Sequence, residues 1–182
     1  ETREAERRRQ GYRALSRGMV AVAAGDRDES RKLAHRAEAL LEEPPLTLLL
    51  SAQAAQLSGD DTAAERYFEA MLGNHELEFL GLRGLLTGAV RAGETQRALG
   101  YARRAYRLRP GTEWIQRTLF ELQVGKGEWK QAEALLKDMG RRGTVPEATT
   151  RRRRAILLLE RAGKAEAVGE LPGAVRLAIR AN

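Results

Sequence analysis

Four glycines stand at a fixed interval of 34 residues: Gly25, Gly59, Gly93 and Gly127. Each opens a similar stretch. Gly25-Asp26-Arg27-Asp28-Glu29-Ser30 is echoed by Gly59-Asp60-Asp61-Thr62-Ala63-Ala64, by Gly93-Glu94-Thr95-Gln96-Arg97-Ala98 and by Gly127-Glu128-Trp129-Lys130-Gln131-Ala132. A period of this length is the mark of stacked supersecondary units. No single unit can bury its own apolar stripe, so neighbours must cover it and stability is shared along the array.

Each position of the unit has a physical reason. The glycine follows an apolar-periodic helix, where the closing residue takes the left-handed conformation that glycine adopts at little cost. The acidic residue after it (Asp26, Asp60, Glu94, Glu128) starts the next helix, capping free amides and favouring the positive end of the helix dipole. Five residues beyond the glycine stands a small side chain (Ser30, Ala64, Ala98, Ala132), which lets two antiparallel helices approach closely. Seven further on come Ala37, Met71, Ala105 and Met139, on the same buried stripe. In the preceding helices, Leu48, Ala52 and Ala55 align with Leu82, Leu86 and Ala89, and with Gln116, Phe120 and Gln123. Gaps of four and three residues put each set on one helical face.

Turn signals separate the hairpins: Glu43-Pro44-Pro45, Gly73-Asn74, Arg109-Pro110-Gly111 and Gly143-Thr144-Val145-Pro146. The spacing predicts helices over 2–24, 28–42, 45–58, 61–73, 78–92, 95–108, 112–125 and 128–141, and a fifth pair at about 147–162 and 164–180. Gly163 comes 36 rather than 34 residues on, and Pro172 and Gly173 fall inside the last helix, so the fifth unit reads as degenerate or cut short. Leu171, Val175, Leu177 and Ile179 are too apolar for a finished polar cap, which suggests a truncation point or a face that dimerises. The expectation is an all-α, right-handed superhelical solenoid of about five hairpins. It forms one domain over 1–182, with repeats near 11–44, 45–78, 79–112, 113–146 and a degenerate 147–180.

Composition agrees and excludes several functions. Aromatics make up 5% of the chain and proline occurs five times, which disfavours a β-sandwich or barrel. The absence of cysteine removes disulfides, thiolate catalysis and Cys-based zinc sites. No stretch approaches the roughly 18–20 apolar residues that cross a bilayer. Net charge is +7, of which residues 141–182 carry ten Lys/Arg against four Asp/Glu. A second basic cluster, Arg7, Arg8, Arg9, Arg13 and Arg17, opens the chain.

The order of small residue, turn glycine, acidic residue and alanine is similar to the tetratricopeptide consensus across the first four repeats, although the consensus closing proline is present only as Pro110. More narrowly, Arg17-Gly18-Met19-Val20-Ala21-Val22-Ala23-Ala24-Gly25-Asp26 resembles the bacterial HemY family. So do Pro44-Pro45-Leu46-Thr47-Leu48-Leu49-Leu50 and Ala52-Gln53-Ala54-Ala55-Gln56-Leu57-Ser58-Gly59-Asp60. That resemblance implies two membrane helices upstream of Glu1, a tetratricopeptide domain on the cytoplasmic face of the inner membrane, and a link to haem (protohaem) biosynthesis. It implies no catalytic residues. The flavin-dependent protoporphyrinogen oxidase of the same name has another fold, and no dinucleotide fingerprint occurs here. The chain opens on Glu1 without a signal peptide and is read as the soluble part of a longer protein. The basic start would then follow the second membrane helix; without the resemblance it is equally a solvated helix face.

Little in the chain suggests chemistry. His35 lies inside a helix and His75 in a turn, neither with a second ligand at metal spacing. Met19, Met71 and Met139 fall on repeat positions expected to be buried, which favours packing over haem ligation. Serines 16, 30, 51 and 58 lie in helices with no nucleophile elbow, and Glu42-Glu43 and Asp60-Asp61 read as helix-end charges. No cofactor and no catalysis are expected; a haem or porphyrin carrier is kept as an alternative.

What remains is surface. First helices of successive repeats would line a groove collecting Gln53, Gln56, Arg83, Thr87, Arg91, Arg117 and Glu121, with Tyr12 and Trp114 near its ends. Arginines beside amides suit the carboxylates of an extended acidic peptide. The run Arg151-Arg152-Arg153-Arg154 is a second basic surface, although four consecutive residues spread around a helix. Partners are expected to be proteins or acidic peptides, with a membrane surface met by the basic N-terminal segment and oligomers formed by exposed terminal helices. Nucleic acid is disfavoured for want of an aromatic platform, leaving anionic lipid as the stronger rival ligand.

Overall fold

A computed structural model describes residues 2–42 and 44–169, with 173, 176, 179 and 180. Among these, nine α-helices follow one another without a strand: α1 (Thr2–Ala24), α2 (Arg27–Leu40), α3 (Pro44–Ser58), α4 (Asp61–Met71), α5 (Glu78–Arg91), α6 (Thr95–Leu108), α7 (Glu113–Lys126), α8 (Trp129–Arg142) and α9 (Glu147–Ala167). They group into two compact units, Glu1–Glu94 and Thr95–Asn182, the boundary falling just past the third ladder glycine.

All four ladder glycines are helix stops. Their φ angles are +75°, +76°, +72° and +75°, left-handed in every case. The Gly25 amide donates to Val22 O and the Asp26 amide to Ala21 O, a Schellman closure. The same two bonds recur at Gly59 and Asp60, at Gly93 and Glu94, and at Gly127 and Glu128. The acidic residue then begins the next helix. Asp26 accepts from the Glu29 amide at 3.0 Å and Asp60 from the Ala63 amide at 2.9 Å. Glu128 makes no such cap; its longer side chain instead pairs with Arg103.

In the first unit, α1 offers α2 and α3 a face of Gly11, Ala14, Gly18 and Ala21. A Cβ on Gly11 would lie 2.6 Å from Leu41 Cγ, and one on Gly18 2.6 Å from Leu50 Cδ2, so these glycines set the close approach. Leu41 leaves α2 in an extended conformation to reach this seat, which ends the helix two residues before the expected 42. Ala37, Leu50, Ala52, Met71 and Leu82 are fully buried. α4 also stops two residues early, at Met71, because Asn74 Oδ1 collects the amides of Glu76 and Leu77 and draws the chain into a turn.

In the second unit Ala98, Ala105, Ala132 and Met139 are fully buried, as the repeat requires. Gln116 is equally buried, and its Nε2 donates to Pro110 O at 2.7 Å and Thr144 Oγ1 at 2.8 Å. One amide thus joins the turns that precede α7 and α9.

Two expectations fail. Gly163 does not divide a fifth hairpin: α9 continues through it to Ala167, and the left-handed glycine is Gly169, φ +81°. After each ladder glycine stands a carboxylate, whereas Lys164 follows Gly163 and offers no acceptor for capping. Of the rest of the expected 164–180 helix, Gly173, Arg176, Ile179 and Arg180 are helical, whereas Leu171, Pro172, Val175 and Leu177 lie outside the described residues. Met19 is 38% exposed, unlike Met71 and Met139. It sits one residue past Gly18, about 100° around α1 from the packed stripe.

Candidate functional site

The sequence-predicted groove residues of the first unit lie on α3 and α5. Gln56, Arg83, Thr87 and Arg91 are exposed and Gln53 is half-buried, its Oε1 buried without a hydrogen-bond partner. Thr87 Oγ1 donates to Arg83 O at 2.9 Å. Arg91 reaches Asp61 Oδ1 at 2.6 Å, an ion pair that a visiting carboxylate would have to displace. Leu46 and Val90, outside the sequence-predicted groove, are apolar and exposed on the same two helices. Tyr12 is exposed on α1.

On α7 in the second unit, Arg117 and Glu121 are exposed one turn apart, and Trp114 is half-buried. In the run at the start of α9, Arg151, Arg152 and Arg154 are exposed. Arg153 is half-buried, with Nη1 3.9 Å from Met139 Sδ, so one of the four serves packing. Residues 95–182 carry 19 Lys/Arg against 9 Asp/Glu, net +10, whereas 1–94 carry 13 against 16, net −3. The basic character therefore belongs to a whole folding unit rather than to the two ends of the chain. Three of the N-terminal arginines are engaged within their own unit: Arg7 donates to Ala39 O at 3.1 Å, Arg9 meets Glu6 at 3.1 Å and Arg17 meets Glu29 at 3.2 Å.

Polar clusters missed by the repeat reading tie the helices together. Tyr106 donates to Asp138, which also accepts from Arg142 at 2.7 Å. Burial, with help from Asp138, pushes the Tyr106 phenol up to about 12. The bonds from Arg142 and Tyr106 hold the Asp138 carboxyl below its usual range. Lys164 Nζ lies 5.0 Å over the Trp129 ring, a cation–π contact that fastens α9 to the start of α8. A cleft of about 180 Å³ between α2, α3 and α4 is lined by Arg31, His35, Ser51, Ser58, Arg66 and Tyr67, among others. Ser51 Oγ donates to Glu38 at 2.7 Å there, and Ser58 Oγ is buried without a partner.

His35 and His75 are both exposed, His35 Nδ1 lying 3.8 Å from Glu38 Oε2. No group of three or more His, Asp or Glu gathers as a metal site among the described residues. Nor is any of the described helices long and apolar enough to cross a membrane.

Comparison with known proteins agrees with this architecture. The family described as HemY protein N-terminus matches residues 1–59, and a tetratricopeptide repeat family matches residues 89–149. Among solved structures, MamA (AMB-1) superposes with a TM-score of 0.60 at 16% identity, covering 100% of this chain and 91% of its own. No curated protein matches. The chain is thus a HemY-like protein with an all-α tetratricopeptide solenoid fold. Arrays of this kind present extended surface to partners, which makes the chain a protein-interaction scaffold.

Proposed function

We propose that this HemY-like tetratricopeptide protein recruits acidic partner proteins through its second unit, from a position tethered at the cytoplasmic face of the inner membrane. One observation carries the reading: the net charge of +10 on residues 95–182 beside −3 on residues 1–94. A field of one sign over a folding unit steers oppositely charged partners and fixes the face on which they land. Arg107, Arg117, Arg152 and Arg154 are exposed on that unit and available for charge-assisted bonds to carboxylates. The sequence-derived groove residues Gln53, Gln56, Arg83, Thr87 and Arg91 supply the more polar, less charged contacts of the first unit. The HemY-type N-terminus supports the membrane tether and a setting in tetrapyrrole metabolism.

The test is binding of a fluorescent Glu-rich peptide to the 182-residue chain at low and physiological salt. Affinity is expected to fall with salt, since surface charges are screened beyond roughly 8 Å at 0.15 M. Combining Arg117→Glu with Arg152→Glu should weaken it more than combining Arg83→Glu with Arg91→Glu. Equal losses from the two pairs, or no binding at low salt, would sink the assignment to the second unit.

A further inference from the structure

Arg13 stands twelve residues before the first ladder glycine and Arg36 eleven after it. In an antiparallel hairpin that register sets them abreast, and both line one cleft of about 310 Å³ between α1 and α2. Its floor is apolar and closed, with Ala14 and Leu33 only 3% and 4% exposed. Arg17, Gln10 and Glu6 complete the walls. Three guanidinium groups therefore border one cleft with a single carboxylate.

The commitments of these groups differ. Arg17 is held by Glu29 at 3.2 Å. Glu6 accepts from Gln10 at 3.0 Å and from Arg9 at 3.3 Å, so donors on its own helix already engage it. Arg13 and Arg36 enter no ion pair or hydrogen bond among the described residues. Arg13 acts on Glu6 through its field alone, and three cations around one carboxylate that other donors already engage leave an excess of positive charge, which a bound anion relieves. We propose that this cleft binds a phosphate group, clamped between Arg13 of α1 and Arg36 of α2, with Arg17 adding to the field. The planar guanidinium fork matches phosphate oxygens. A dianion also compensates both uncommitted cations, where a carboxylate would leave one unmet.

The phosphate can come from a soluble ester or from a lipid headgroup. Arg13 and Arg17 also border the outer face of α1 with Arg9, Tyr12 and Ser16, so a headgroup has a route to the cleft.

The experiment has two arms, both on the 182-residue chain. Inorganic phosphate is titrated and followed by phosphorus NMR, and vesicles of phosphatidic acid, whose headgroup is a phosphomonoester, in phosphatidylcholine are sedimented against phosphatidylcholine alone. Arg13→Gln and Arg36→Gln should each weaken binding about five- to tenfold, the expectation for losing a charge-assisted bond at an exposed site. Arg152→Gln, in the other unit, should leave it unchanged. Circular dichroism checks that the variants fold, which their exposed positions favour. Binding of free phosphate that depends on Arg13 and Arg36 supports a soluble source, and vesicle binding alone with that dependence supports a headgroup. No binding in either arm overturns the proposal. So does binding that Arg152→Gln weakens as much as the cleft variants do. Because the acidic-peptide reading concerns the other unit, either proposal can fail without the other.

Discussion

Two glycines thirteen and six residues before the end of the first unit should respond to the same substitution with opposite sign. Gly81 and Gly88 both lie in α5. A Cβ on Gly81 would sit 2.6 Å from Phe68 O, 3.0 Å from Met71 Cβ and 3.1 Å from Leu72 Cδ2, whereas one on Gly88 meets nothing within 4 Å. At Gly88 alanine removes backbone freedom from the unfolded chain and should stabilise by about 0.5–1 kcal/mol. At Gly81 the same gain is opposed by a backbone carbonyl of α4. Carbon–oxygen contacts settle near 3.3 Å, so α4 and α5 must part by roughly 0.7 Å. Overpacking of this kind costs about 1–3 kcal/mol, and a backbone obstacle belongs at the upper end. Net of the helix gain, Gly81→Ala should lose about 2 kcal/mol. The two variants then differ by about 2.5–3 kcal/mol, or roughly 5–12 °C in Tm for a chain of this size. Urea and thermal unfolding followed by far-UV circular dichroism is the assay. Tryptophan fluorescence would mislead, because Trp114 and Trp129 both lie in the second unit. If Gly81→Ala proves as stable as Gly88→Ala, the close approach of α4 and α5 is wrong.

The ladder glycines and Gly163 should separate in the same way. Gly59→Ala places a side chain at φ +76° in open space and should cost about 1–2 kcal/mol. Gly163→Ala, mid-helix in α9 with nothing near its Cβ, should stabilise by about 0.5–1 kcal/mol, and thermal melts compare the two directly. Stability should also fall in alkali. Tyr106, raised from 10.0 to about 12, keeps its proton in the folded state at a pH where the unfolded chain loses it. The contribution is therefore whole below pH 10.0 and lost as pH rises through about 12. Tyr106→Phe should flatten that limb of a Tm-against-pH curve, and an unchanged slope would remove Tyr106 as its source. On the acid side Asp138, lowered by Arg142, contributes above its ordinary value of 3.8 and loses that contribution as pH falls below it.

Much of this architecture was legible before any tertiary contact was known, because its punctuation is local. A left-handed glycine, the acidic cap behind it and the small residue five positions on act within a single turn, so spacing alone located α1 to α8 to within two residues. Gly163 shows the limit of that logic. The glycine was present, but a helix stops only when the following residues can take over its carbonyls and amides, and Lys164 cannot cap. Met19 erred for a related reason: the packed face of α1 is drawn by Gly11 and Gly18, and a small residue signals contact less visibly than a large one.

The surface divided differently. That Gln56, Arg83, Thr87, Arg117 and Glu121 face outward follows from helical phase, which a sequence carries. That Arg91 is already tied to Asp61, 30 residues away, does not. Nor does the gathering of Arg13, Arg17 and Arg36 around a single cleft. Local backbone chemistry therefore settled from the sequence alone that this chain is a helical array with stops at Gly25, Gly59, Gly93 and Gly127. Only the tertiary structure decided which of its many arginines are paired and which remain uncommitted, because that depends on side chains that meet across helices far apart in the chain.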